Sequence, residues 1–207
     1  MMEIIEKIEQ RFAPDEPIFA RDILALVDGA PRSTVYYQLG KAVEDGKLAR
    51  AGRGIYYLPV QTVLGESVLP SLSPLVKSYI ADSENVYGYW SGLMLENQEG
   101  LTTQNPTVLE IVTNKATKRL VRLGARAGYK DIVLRPPREK ITPDNVEVLK
   151  FLDLVTEAPG LNGKDARKWI VAKAKSLDAD KLLSALRHYP AKTSKRLVEN
   201  GVLGVLT

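Results

Sequence analysis

A tight β-hairpin is the feature of this sequence that most constrains its fold, and it lies in residues 48–58, LARAGRGIYYL. Gly52 and Gly54 permit the positive φ angles that a tight hairpin needs, so two short strands should flank them. Arg50 and Arg53 lie at or beside the tip of this hairpin. Such a hairpin is either an ordinary surface connection or the wing of a winged helix, and the residues before it decide between the two.

Three helices are predicted before the hairpin. Apolar residues recur at helical spacing in residues 2–12 and again, over a shorter stretch, in residues 19–27. A third helix should begin after Pro31 and end near Gly46, since glycine favours the left-handed position that follows a helix. Two helices joined by a short turn, followed by a hairpin, predict a winged helix-turn-helix.

The third helix has one apolar and one polar face. The predicted core positions of this helix and the hairpin are Val35, Leu39, Ala42, Val43, Leu48 and Tyr56. The polar face is rich in side chains that donate hydrogen bonds to phosphates or base edges. The predicted DNA-contacting residues are Arg32, Ser33, Thr34, Tyr36, Tyr37, Gln38, Lys41, Arg50 and Arg53. Winged helices also serve as protein-interaction modules, so an adaptor that does not read DNA sequence is the alternative.

The rest of the chain predicts a mixed α+β domain. We place a winged helix-turn-helix domain at residues 1–60 and an α+β domain at residues 61–207. Alternating apolar segments such as TVLEIVT and DIVLR predict strands within residues 85–140. Helical periodicity dominates residues 141–207, so the fold class is α+β with a helical C-terminal part.

Charge is unevenly distributed along the chain. Residues 31–58 carry 5 Lys/Arg against 2 Asp/Glu, residues 114–140 carry 9 against 2, and residues 164–197 carry 10 against 3. Basic clusters of this kind attract nucleic acid or an acidic partner, although each is also explained by a solvated surface. The cations of the last cluster that could extend a DNA footprint are Lys168, Lys175, Arg187 and Lys192.

The sequence offers little material for catalysis. There is no cysteine and a single histidine, His188, so neither a thiolate site nor a multi-histidine metal site can form. No phosphate-binding glycine loop is present. Asp178 and Asp180 have a spacing that can bind metal, but Asp178 is better explained as a helix N-cap. We therefore expect no catalytic residue, no metal site and no cofactor.

The N-terminal residues MMEIIEKIEQRF are charged and amphipathic, unlike the apolar core of a signal peptide. No apolar run approaches the roughly 20 residues that span a bilayer. We therefore expect a cytoplasmic protein with no membrane partner.

Several motifs, taken in order, resemble the AbiEi-type antitoxins of type IV toxin–antitoxin systems. The wing RGIYYL is followed by SGL at 91–93, GL at 100–101, QNP at 104–106 and a strand ending in VTNK. Gly92 stands where the family usually has alanine, and the histidine often found before the Gly-Leu turn is missing. The resemblance covers about residues 1–140 and leaves the helical tail without a matching motif.

The resemblance implies two activities. The winged unit would bind inverted repeats in its own promoter and repress transcription, so double-stranded DNA would be its partner. The second domain would neutralise a nucleotidyltransferase toxin encoded beside it, directly or without a stable complex. The basic tail would then contact the DNA, the toxin, the toxin's nucleotide or its RNA substrate, unless it is only a solvated helix surface.

Overall fold

Three helices and a three-stranded antiparallel sheet build the first part of the chain. The structure is a computed structural model that describes residues 4–116, 120–162 and 165–205. The elements are α1 (Ile4–Arg11), β1 (Ile18–Phe19), α2 (Ala20–Leu26), α3 (Arg32–Glu44), β2 (Ala49–Gly52) and β3 (Ile55–Tyr57). The sheet order is β1-β3-β2. This element order is that of a winged helix, so the predicted N-terminal fold is confirmed.

The core of this part follows the predicted apolar stripe. Val35, Leu39 and Ala42 of α3 are buried, as are Leu48 and Tyr56, while Val43 is half-buried. They pack with the buried isoleucines of α1, β1 and α2, namely Ile4, Ile5, Ile8, Ile18 and Ile23. The left-handed φ of +70° at Gly46 lets the chain leave α3 and turn into the hairpin.

A second, smaller hairpin and a short helix follow the wing. They are β4 (Gln61–Thr62), β5 (Gly65–Glu66) and α4 (Ser73–Tyr79). The Tyr57 hydroxyl donates to the Ser67 carbonyl at 2.9 Å, and Lys77 Nζ lies 2.7 Å from a carboxylate oxygen of Glu16. These contacts connect the segment to the winged helix. The chain divides into two compact units, Met1–Lys77 and Ser78–Thr207, whereas the sequence prediction set the boundary at residue 60.

A four-stranded mixed sheet organises the second unit. Its elements are β6 (Gly88–Ser91), α5 (Gly92–Gln98), β7 (Val108–Thr113), β8 (Val121–Arg122) and β9 (Asp131–Arg135), with strand order β6-β7-β9-β8. The two central strands, β7 and β9, run parallel, and each edge strand pairs antiparallel with its neighbour. The strands predicted in TVLEIVT and DIVLR are thus the two central ones. Lys118 and Arg119 of the basic block lie outside the described residues.

Helices form the remainder of the second unit. They are α6 (Val146–Glu157), α7 (Ala166–Lys175), α8 (Ala179–Leu186) and α9 (Ala191–Glu199), with short 3-10 helices at Pro159–Asn162 and Val202–Val205. Helix α6 is buried around most of its circumference and packs against Ile170, Leu182 and Leu197 from the three later helices. The α+β class with a helical C-terminal part is confirmed. No helix in the described ranges is long and apolar enough to cross a membrane.

Gly88 is a position where only glycine fits. A Cβ atom there would lie 2.0 Å from the carbonyl oxygen of Tyr79 and 2.9 Å from that of Val112. Because both obstacles are backbone atoms, Gly88→Ala should lower the free energy of unfolding by about 3 kcal/mol. Urea denaturation followed by circular dichroism measures this loss.

Gly40→Ala is the matched control, since no other atom lies within 4 Å of the added Cβ and the residue is inside α3. Alanine favours a helix interior over glycine by about 1 kcal/mol, so this variant should be at least as stable as the parent. Equal stability of the two variants would contradict the close approach at Gly88.

Candidate nucleic-acid interface

Helix α3 presents its polar face to solvent. Seven of the nine predicted contact residues lie on this helix and two on the hairpin, and all nine are exposed. Tyr37 has 74% of its surface exposed and Tyr36 47%. Since an aromatic ring is seldom left so exposed without a partner, this face is an unusual surface for a small domain.

The wing is a short hairpin with a charged tip. Arg50 pairs with Tyr56 across the hairpin, and a bulge between Arg50 and Gly52 shifts the register. Gly54 has a φ of +69°, as predicted, and forms the turn with Arg53. The prediction for Gly52 is wrong: its φ is not positive, because the residue ends β2 and pairs with Ile55.

Backbone contacts hold the wing to the rest of the unit. The Ala20 amide, at the start of α2, donates to the carbonyl oxygen of Gly54 at 2.9 Å. Arg50 Nε donates to the carbonyl oxygen of Gly52 at 3.2 Å, which directs this side chain along the wing. The wing tip is therefore attached to the helix pair by a hydrogen bond as well as by the sheet.

Positive charge on this surface is not neutralised locally. The residues described by the structure place no acidic group in ion-pair contact with Arg32, Lys41, Arg50 or Arg53. The first turn of α3 has no acidic residue and its N-cap is Pro31. Its N-terminal amide groups and partial positive charge therefore add to the field of the side chains.

A groove borders the start of α3. It has a volume of about 710 Å³ and is lined by Ile4, Val27, Pro31, Thr34 and Gln38 among others. Thr34 and Gln38, both predicted contact residues, thus lie on the wall of the groove. The arrangement leaves both side chains accessible from the helix-turn-helix side.

Arg21 was not among the predicted contact residues, yet it belongs to the same helix pair. It lies on α2 with 74% of its side chain exposed, 4.9 Å above the ring of Phe19 and 3.5 Å from Asp22. Its positive charge is the only sequence feature that could have identified Arg21 as a candidate contact residue, because the segment FARDILALV was interpreted only for the spacing of its apolar residues.

The second unit contains a partly buried polar cluster that the sequence did not indicate. Arg135 lies 3.2 Å from Glu110, 3.1 Å from Glu157 and donates to Ser91 Oγ at 2.7 Å. These residues come from β6, β7, β9 and α6, so the cluster joins the sheet to its main helix. Such a cluster stabilises the arrangement of elements that carries it.

Asp153 extends this cluster towards the core. Its carboxylate accepts a hydrogen bond from the Tyr89 hydroxyl at 2.9 Å and lies 3.9 Å from Arg138. Burial raises the pKa of Asp153 and of Tyr89 above their usual values. The cavity beside the cluster, about 370 Å³, is lined by Asp153 together with Glu96, Glu110 and Glu157, but three of these acids, Glu110, Asp153 and Glu157, are paired with arginines.

Of the aspartate pair Asp178 and Asp180, the first residue has a structural role. Asp178 is the N-cap of α8, and its side chain accepts a hydrogen bond from the Lys181 amide at 2.9 Å. Asp180 and His188 are exposed. Within the described ranges, no group of three or more histidines or acidic residues is placed to hold a metal ion.

Comparison with known proteins finds a similarity to a solved structure. No protein-family model matches the chain, and no curated protein matches it. The chain is similar to the crystal structure of the Rv2827c protein from Mycobacterium tuberculosis, with 13% sequence identity and a TM-score of 0.47. The similarity covers 99% of this chain and 78% of that one.

The exposure of Tyr37 has a direct consequence for stability. Tyr37→Ala should change the free energy of unfolding by less than about 0.5 kcal/mol, because the ring contributes little to the core. Tyr56→Ala is the matched comparison, since that ring is 6% exposed and its loss should cost about 3 kcal/mol. Thermal or urea denaturation of the two variants distinguishes them, and an equally large loss for Tyr37 would place its ring in the core.

Proposed function

We propose that this chain binds double-stranded DNA through its winged unit and represses transcription from its own promoter. The observation that carries the proposal is the surface of α3 and the wing. It combines hydrogen-bond donors, an exposed tyrosine pair and four cations that form no ion pair with described residues. Cations and hydrogen-bond donors on such a surface match the phosphate oxygens and base-edge acceptors of DNA.

The two elements of this surface have different tasks in the proposal. The major groove of B-DNA, about 12 Å wide, admits an α-helix, so α3 would enter it with Tyr37 and Lys41 facing the bases. Arg50 and Arg53 of the wing would contact the sugar-phosphate backbone. Phosphate contacts fix the register of the protein, and contacts to base edges supply sequence preference.

The resemblance to AbiEi-type antitoxins supports a second element of the proposal. In it, the second unit neutralises a nucleotidyltransferase toxin whose gene lies beside that of this chain. If so, co-expression of this chain should restore growth to cells that express such a toxin. Arg53→Ala in the full chain is the control, because it removes one proposed DNA contact and leaves the second unit unchanged. When both genes are driven by foreign promoters, this variant should rescue growth as well as the parent does.

A binding titration tests the DNA proposal. The full chain is titrated against the DNA upstream of its own gene and against a scrambled duplex, at low and near-physiological salt. Binding to the upstream duplex that survives salt supports a sequence-specific regulator. No binding to either duplex at either salt concentration contradicts it and favours the adaptor alternative. The exposed rings of Tyr36 and Tyr37 would also suit contact with a partner protein.

Two substitutions separate the proposed tasks of helix and wing. Arg53→Ala should weaken binding to both duplexes to the same extent and reduce the slope of log affinity against log salt by about one. Lys41→Ala should weaken binding to the upstream duplex more than to the scrambled one, because it removes a base-facing donor. Fluorescence anisotropy at four or five salt concentrations measures both effects.

Arg11→Ala is the control for charge alone, since Arg11 is an exposed cation at the end of α1. Its removal should leave the salt slope unchanged. An unchanged slope for Arg53→Ala would remove the wing tip from the interface, and an equal effect of Lys41→Ala on both duplexes would remove that residue from base contact.

A further inference from the structure

A further hairpin, in the second unit, also closes through a tight turn that contains a glycine. Beyond the strand pairing of β8 with β9, the Leu123 amide donates to the Ile132 carbonyl at 2.8 Å. At the far end, the amides of Arg126 and Tyr129 donate to each other's carbonyl oxygens at 3.2 and 2.9 Å. Ala127 and Gly128 between them have φ angles of +51° and +86°, the positive pair that defines a type I′ turn. We call residues 122–131 the basic ribbon.

The base of the basic ribbon is fixed to the sheet. The Lys130 amide donates to the Thr107 carbonyl at 2.9 Å, which holds the returning strand against the start of β7. Asp131 accepts from the Gly124 amide at 2.9 Å and lies 2.5 Å from Arg122. The ribbon therefore emerges from the sheet with a defined direction, and its single acid is occupied by an arginine of the ribbon itself.

Two cations of the ribbon are left facing solvent. Arg126, at the turn, and Lys130 are exposed, and neither forms an ion pair with any residue that the structure describes. Asp131 is the only acidic residue between positions 111 and 138. The outward field of the ribbon is thus positive.

Other cations of the same basic block are used inside the unit. Arg135 and Arg138 are paired with Glu157, and Lys115 donates to the Ser78 carbonyl at 2.7 Å and lies over the ring of Tyr87. Contacts inside the unit thus explain the positive charges of these three residues, but not those of Arg126 and Lys130. Exposed cations on a hydrogen-bonded hairpin, without an acidic partner among the described residues, suit an anionic ligand.

We propose that the basic ribbon is a second phosphate-contacting hairpin, and that Arg126 and Lys130 bind the backbone of the DNA duplex to which the winged unit binds. This inference rests on the proposed function and extends it to the second unit. Wing and ribbon share the same chemistry: an arginine at a glycine-containing turn, followed by a tyrosine within the hairpin. Two contacts on one chain raise the effective concentration of each for the same duplex, so two weak hairpins together bind strongly.

The double variant Arg126→Ala/Lys130→Ala tests the inference. Each lost phosphate contact removes about 0.9 from the slope of log affinity against log salt, so the variant should lose nearly two. Between 50 and 200 mM salt, the parent should therefore lose about tenfold more affinity than the variant. The ratio of affinities for upstream and scrambled duplexes should stay the same, because phosphates carry no sequence information.

Lys181→Ala/Lys195→Ala is the matched control. It removes the same charge from the second unit, but both lysines are exposed and already paired, with Asp144 and Glu199 at 3.9 and 3.8 Å. Its salt slope should equal that of the parent. The charge-conserving variant Arg126→Lys/Lys130→Arg should keep most of the slope as well.

The outcomes distinguish this inference from the proposed function. If the parent binds DNA with a salt dependence that the Arg126/Lys130 double variant retains in full, the basic ribbon makes no phosphate contact and the inference is overturned, while the winged unit keeps its role. If the parent shows no salt-dependent binding to DNA, the proposed function fails and this inference fails with it. A slope reduced equally by the double variant and by the Lys181/Lys195 control would trace the effect to net charge and also overturn the inference.

Discussion

Strand β3 is hydrogen-bonded along both edges, and the winged unit depends on that position. On one side it pairs with β2 to make the wing, and on the other with β1, where Ile18 faces Tyr56 and is fully buried. Because β1 runs directly into α2, the same strand that forms the wing also sets where the helix pair begins. The helix-turn-helix and the wing are therefore two parts of one packed unit, and their relative position follows from the register of three short strands.

The two units handle charge in different ways. In the second unit, Arg135 and Arg138 are drawn into a cluster with Glu110, Asp153 and Glu157, so only part of a strongly basic stretch of sequence contributes to the outward field. In the first unit, the count of charges is nearly balanced, but the cations of α3 and the wing are left without acidic partners among the residues described. Local pairing, rather than the sum over a stretch of sequence, thus determines where an anion is attracted.

Periodic features of the sequence were enough to predict the parts of the fold that repeat a simple rule. The apolar stripe of α3, the glycine that follows it and the burial of Leu48 and Tyr56 in the hairpin all follow from spacing and from backbone preference. The strand β1 was not predicted because it has two residues and is defined only by its partner β3. Strand β6 was not predicted either, since all four of its residues are buried and it has no alternation to detect.

The candidate interface was predictable in composition but not in detail. Exposure of seven of the nine residues follows from one polar helix face, whereas the bulge that leaves Gly52 with an ordinary φ depends on the exact register of the hairpin. The Arg135 cluster joins residues that are far apart in the chain, so no local sequence pattern predicts it. The small hairpin at residues 61–66 was not predicted, because its two strands are too short to show alternation.

The hydrogen bond from the Ala20 amide to the Gly54 carbonyl has a consequence for how such a surface meets a partner. A wing that is attached to the first turn of α2 cannot swing independently of the helices, so little conformational entropy remains to be lost on contact. A rigid surface of this kind adapts poorly, so in the proposed complex the duplex would have to supply the adjustment. The stiffness of the base steps beneath the wing would then enter the choice of site, alongside the contacts made by α3.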